Sequence, residues 1–199
     1  MYSEYKVSIP SGTSGKWSVS PLIVSHENSI RDHLFSKDGR YTPEGTYTVL
    51  KCGSEIIMSD TPDEIRDHLH FIRQAQGDIL INGLGLGMVA KACLSKPSVT
   101  SVTVIELSPD VISLVAPHIA DPRLTIIQAD AFTYKPTRHY DSVWHDIWSY
   151  ICTDNLPEMT KLHRKYGKFT NYQDSWSRSE CLRHRREEKR DESRFRLFH

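Results

Sequence analysis

An apolar run that empties into three alternating glycines constrains this chain more than any other stretch: Ile79-Leu80-Ile81-Asn82-Gly83-Leu84-Gly85-Leu86-Gly87-Met88-Val89-Ala90. A strand entering, a tight turn and a helix leaving leave backbone bare where a nucleotide-like ligand can approach it. Glycine is needed because a Cβ would obstruct both the turn and the ligand. Around this loop, short apolar segments at 79–82, 102–106, 124–128 and 141–145 alternate with helix-forming segments at 88–95 and 109–116. Ser108 is placed to cap the second helix, with Pro109 at its first position. That alternation predicts parallel βαβ units whose sheet is covered on both faces.

The flanks differ in character. Residues 1–59 read as a β-rich N-terminal region: a strand at 17–24, and a hairpin of 46–51 with 55–58 around Gly53-Ser54, a pair suited to a type II′ turn. Residues 11–15 read as a flexible loop. Asp60-Thr61-Pro62-Asp63-Glu64 predicts a helix start, with Ile65, Leu69 and Ile72 on one face to about Ala75. Residues 60–150 are then a cofactor-binding domain and 151–199 a helical segment with a charged tail. Residues 168–176 lack β alternation, so the last strands usual in such a sheet are expected to be missing.

Size and charge narrow the partners. A chain of 199 residues fits one domain with a small appendage. With 25 basic and 25 acidic residues, global charge favours neither nucleic acid nor an anionic membrane. No apolar run approaches the ~20 residues of a membrane span, and the N-terminus lacks a signal-peptide layout. The four cysteines, without a CxxC pair, read as reduced thiols. His68 and His70, two apart on a helix, point differently, so no metal is expected. The expectation is a cytoplasmic protein with a small-molecule substrate, for which a homodimer is a compatible assembly.

Two cofactor readings fit the glycine loop. Gly85-Leu86-Gly87-Met88-Val89-Ala90 satisfies GxGxxA, and Glu106 lies 21 residues after Gly85, near the spacing at which an acid meets a ribose. An S-adenosyl ligand uses the same geometry. Ala129-Asp130-Ala131-Phe132, at the end of the third strand, favours the second reading: a carboxylate for the exocyclic amine of adenine, a backbone N–H for a ring nitrogen and an aromatic for its face. Beyond the fourth strand, Trp144-His145-Asp146-Ile147-Trp148-Ser149-Tyr150 is the candidate for chemistry. Asp146 or His145 is placed to take a proton, and the aromatics to flank a sulfonium, with Trp144 also fitting the core.

The stretch from Lys96 to Ile112, with Asp121-Pro122-Arg123-Leu124-Thr125-Ile126 and Ala129-Asp130-Ala131-Phe132, resembles spermidine synthases. Those aminopropyltransferases are built on the Rossmann-like fold of class I S-adenosylmethionine-dependent methyltransferases. The resemblance covers roughly residues 55 to 150. It implies that Gly83, Gly85 and Gly87 border the methionine-derived tail, that Glu106 binds ribose, and that Asp130 with Ala131 binds adenine. Two departures stand out. Leu86 replaces an aspartate of that family's glycine loop, and only Asp146 remains of its Asp-Ser-Ser-Asp-Pro type signature. Asp146-Ile147-Trp148 is also distantly similar to the Asp-Pro-Pro-Tyr loop of amino-group DNA methyltransferases, without the prolines. The expected activity is methyl transfer from S-adenosylmethionine to a small acceptor. Aminopropyl transfer from decarboxylated S-adenosylmethionine and non-catalytic binding of an S-adenosyl ligand are the alternatives.

Overall fold

Turns at Gly15 and Gly53 organise the N-terminal part of the computed structural model, which describes residues 2–36 and 40–197. Strands β1 (Gly12–Ser14) and β2 (Trp17–Val24), helix α1 (His26–Phe35), and strands β3 (Gly45–Cys52) and β4 (Glu55–Ser59) form a four-stranded antiparallel sheet in the order β1-β2-β3-β4. In the β3–β4 turn Gly53 has φ +61° and Ser54 has a negative φ, as a type II′ turn requires. Residues 12–14, expected to be loop, instead pair with β2. The Ser14 hydroxyl donates to the Asp110 carboxylate at 2.7 Å, a long-range contact that local composition does not encode.

Helix α2 (Pro62–Gln74) starts as expected, with Thr61 at the N-cap position and Ile65, Leu69 and Ile72 buried. Asp60 does not cap it: its two oxygens accept from the Thr48 and Val7 N–H groups, tying the antiparallel sheet to the N-terminal segment. There follow β5 (Gly77–Asn82), α3 (Met88–Leu94), β6 (Val99–Glu106), α4 (Pro109–Val115), β7 (Leu124–Gln128), β8 (Tyr140–His145), α5 (Leu156–Tyr166), β9 (Thr170–Ser175) and α6 (Arg178–Leu197). The second sheet is parallel throughout, in the order β7-β6-β5-β8-β9. This is a Rossmann-like sheet flanked by helices and preceded by a small antiparallel sheet.

Side-chain alternation divides its faces. Ile79, Ile81, Val102, Val104 and Trp144 join a core that includes residues of α2, α3 and the N-terminal sheet. Leu80, Ile105 and Val143 point the other way and pack with Leu162 and Tyr166 of α5. The C-terminal segment, in which residues 168–176 read as lacking β alternation and no further strand is expected, supplies β9, parallel to β8. Its alternate residues are held by polar partners rather than by an apolar core, so no hydrophobic period marks it. Gln173 and Ser175 bond to His145 and His163. Among the described residues the sheet stops at five strands, and no helix is long and apolar enough to cross a membrane.

Candidate functional site

Chain progression reverses between β5 and β8: β6 and β7 lie on one side of β5, β8 and β9 on the other. A crevice at the carboxyl ends of parallel strands is the place such a sheet offers a ligand. A cavity of about 420 Å³ opens there, with Gly83 and Gly85, Glu106, Asp130 and Asp146 in its lining.

Each glycine of the loop is structurally constrained, but not by the same neighbour. Gly83 (φ +99°) has the Asp146 carbonyl where a Cβ would stand, and Gly85 (φ +51°) has the Met58 sulfur. Gly87 (φ +71°) is the N-cap residue of α3 and faces Ile119 and Val115. It is absent from the cavity lining, so the expected role beside a ligand tail does not fit it. Leu86 is fully buried, and its N–H approaches the Met58 sulfur at 3.2 Å. Trp17, Leu50, Ile57 and Met58 bring the antiparallel sheet over the crevice as one wall.

The two acids expected to grip an adenosine sit at adjacent strand ends. Glu106, the last residue of β6, accepts from the Leu84 N–H and the Ser108 N–H, both at 2.8 Å. One carboxylate thus spans the glycine loop and the start of α4, and each oxygen retains a further lone pair for a hydroxyl. Asp130 accepts from the Phe132 N–H at 2.6 Å through Oδ1, which shapes the turn after β7 and leaves Oδ2 without a partner among the described residues. The Ala131 carbonyl is held by Tyr166 at 2.9 Å and Lys165 at 3.0 Å, while the Ala131 N–H has no acceptor among the described residues. Asp130, Ala131 and Phe132 all line the cavity, with one carboxylate oxygen and one N–H left unpartnered among the described residues.

Asp146 and His145 part company. Successive residues leaving a strand point to opposite faces. Asp146 turns into the cavity, whereas His145 is fully buried on the α5 side. Its Nδ1 accepts from Asn82 at 2.8 Å, and its Nε2–H donates to Gln173 at 3.1 Å. Burial lowers its pKa to about 3, so it stays neutral. The proton-accepting role expected of His145 is therefore corrected: both ring nitrogens are committed to fixing β5, β8 and β9. Trp144 is core, stacked on Phe71 with ring centroids 4.8 Å apart, and Tyr150 is exposed outside the cavity. Trp148 does line the cavity, its indole N–H held by Glu158 at 2.8 Å.

Two residues that sequence reasoning missed complete this end. Glu64 of α2 lines the cavity, and no hydrogen bond is made to its carboxylate among the described residues. Burial, with the nearby charges of Asp146 and Asp67, raises it to about 8; burial likewise raises Asp146 to about 7. His68, one turn on, is fully buried, and neither ring nitrogen has a hydrogen-bond partner. Its Nε2 stands 3.8 Å from Asp146 Oδ2, and burial holds it neutral, with its pKa lowered to about 3. The spacing of Glu64 and His68, four apart on one helical face, was the available signal. Among the described residues no group of three or more His, Cys, Asp or Glu side chains forms a metal site.

No protein-family model matches the chain, and no curated protein matches it. Solved structures do. The DhpI–SAH complex aligns over 54% of this chain and 52% of its own length at 21% identity, TM-score 0.44. The N-methyltransferase NodS from Bradyrhizobium japonicum WM9 aligns over 56% and 64% at 17% identity, TM-score 0.45. An S-adenosylmethionine-dependent methyltransferase from Mesorhizobium loti aligns over 52% and 49% at 16% identity, TM-score 0.41. The matched region spans 49% to 64% of the length of these proteins.

Proposed function

We propose that this chain is a transferase of methyltransferase type that binds an S-adenosyl ligand and acts on a small-molecule acceptor. One observation carries the reading: at the strand-order reversal, Glu106 and the Asp130–Ala131 edge converge on a single cavity with Gly83 and Gly85. Glu106 would take the ribose hydroxyls, Asp130 Oδ2 and the Ala131 N–H the purine edge, and the two glycines the sulfur-bearing tail. When bound, S-adenosylmethionine supplies an electrophilic methyl group on a sulfonium. The chain's own part is to orient an acceptor for in-line approach and to shield it from water. Asp146 lines the cavity with the glycine loop and would stand at the acceptor end, where Trp148, also in the lining, would meet the sulfonium.

Calorimetry against S-adenosylmethionine, S-adenosylhomocysteine, 5′-methylthioadenosine and NAD tests this. The three S-adenosyl compounds should bind and NAD should not, and Glu106→Ala and Asp130→Ala should each weaken 5′-methylthioadenosine about tenfold or more, the scale of a hydrogen bond to a charged group. Tighter binding of NAD, or indifference to both substitutions, would defeat the proposal.

A second reading is favoured by one specific feature. The cavity carries four carboxylates, Glu64, Glu106, Asp130 and Asp146, and no lysine or arginine among its described lining. A methionine carboxylate would enter without a cationic partner, at a cost that decarboxylated S-adenosylmethionine avoids. Preference for the decarboxylated ligand would make aminopropyl transfer the activity.

A further inference from the structure

One side chain stands where the glycine loop would otherwise lie bare. Met58 of β4 lines the cavity, and its sulfur occupies the position that a Cβ on Gly85 would take. The same sulfur accepts from the Leu86 N–H at 3.2 Å. A thioether is a weak acceptor, and here it covers a backbone donor that a ligand tail could use. Met58 is buried, and it reaches the loop from the antiparallel sheet, not from the sheet that carries Glu106.

The pairing of β3 with β4 explains how Met58 comes to point there. Leu50 faces Met58 and Lys51 faces Ile56, so Ile57 has no partner on β3. An extra residue of this kind is a β-bulge, which bends its strand and re-aims the side chains beside it. Successive residues of a regular strand point to opposite faces, yet Ile57 and Met58 both line the cavity. The bulge directs two consecutive apolar side chains at the crevice, and the second of them meets the glycine loop.

The geometry points to Met58 as the residue that sets how long a 5′ tail the adenosine ligand can carry. The inference rests on the transferase reading and refines the ligand class for it. A short 5′ substituent fits beside the thioether as it stands. A longer tail runs along Gly85 and has to turn Met58 out of the loop first. That movement breaks the Leu86 N–H contact and withdraws a buried side chain from its packing, which an unbranched methionine can do. Thus 5′-methylthioadenosine binds with Met58 in place, whereas S-adenosylmethionine binds only with Met58 displaced. Met58 governs specificity and takes no part in bond making.

Calorimetric titration of 5′-methylthioadenosine and 5′-n-butylthioadenosine tests the assignment. Neither tail is charged, so the carboxylates of the lining do not distinguish them. In an open apolar crevice the three added CH2 groups should tighten binding by about fourfold each. Here the butyl compound should instead bind at least about tenfold more weakly, the scale of exposing a buried methionine. Met58→Ala should reverse that order. Met58→Leu, which keeps the bulk without the sulfur, should discriminate as the wild type does. Equal or tighter binding of the butyl compound by the wild type overturns the proposal, whether or not Met58→Ala folds. So does an order that Met58→Ala leaves unchanged or that Met58→Leu abolishes. Each of these results leaves the transferase reading intact, since 5′-methylthioadenosine still binds. If that compound binds to none of the three proteins, the transferase reading falls and the assignment of Met58 falls with it.

Discussion

Replacing Glu64 by glutamine should make the protein more stable, and increasingly so as pH rises. The folded chain raises this carboxyl from 4.5 to about 8, chiefly by burial. Between those values the unfolded chain releases the proton and the folded chain keeps it. The unfolded state then binds fewer protons, and stability falls with rising pH. Integrating over that window, the ionisable group costs the native state about 1 kcal/mol at pH 5, about 3 at pH 7 and about 4 to 5 at pH 9. Glutamine fills nearly the same volume without an ionisable group, so it should remove this cost and leave the packing of α2 alone. Urea unfolding of both proteins at the three pH values reads the effect. With a slope of roughly 2 kcal/mol per molar, the midpoint should move up by about 1.5 M at pH 7 and by much less at pH 5. A midpoint difference that is flat across pH would refute the reasoning, because residue 64 would then be a solvated carboxylate. A stabilising substitution at an acid lining the cavity is what a cavity maintained for function predicts.

Three further outcomes follow from the geometry. Gly83→Ala should cost at least about 2 kcal/mol in urea unfolding, because the residue combines a left-handed φ with a Cβ position filled by the Asp146 carbonyl. His145→Ala should lose about 2 to 4 kcal/mol of stability by stranding Asn82 and Gln173 in the core. Any turnover that survives should keep its pH profile, since the imidazole does not reach the cavity. Tyr166→Phe removes the hydroxyl that holds both Asn82 Oδ1 and the Ala131 carbonyl, at an expected loss of about 1 to 2 kcal/mol, with weaker 5′-methylthioadenosine binding seen by calorimetry.

The glycine loop, the four apolar strands around it and the positions of Glu106 and Asp130 were all legible along the chain. Each depends on local rules: a period of two, a turn that excludes Cβ, and an acid at the end of a strand. Tertiary structure decided the rest. His145 and Asp146 are neighbours in sequence, and only the packing of α5 on one face determined which of them meets the cavity. Thr170–Ser175 is a strand because β8 offers it an edge and His145 and His163 offer it partners, which no local period records. Gly87 carries the same motif as Gly83, yet Ile119, a residue distant in sequence, claims the space beside it. Glu64 faces the crevice because α2 docks beside the carboxyl ends of the strands, while His68, one turn on, is buried behind Asp146. Backbone chemistry fixes where a ligand can approach; the long-range packing of side chains selects which groups it meets.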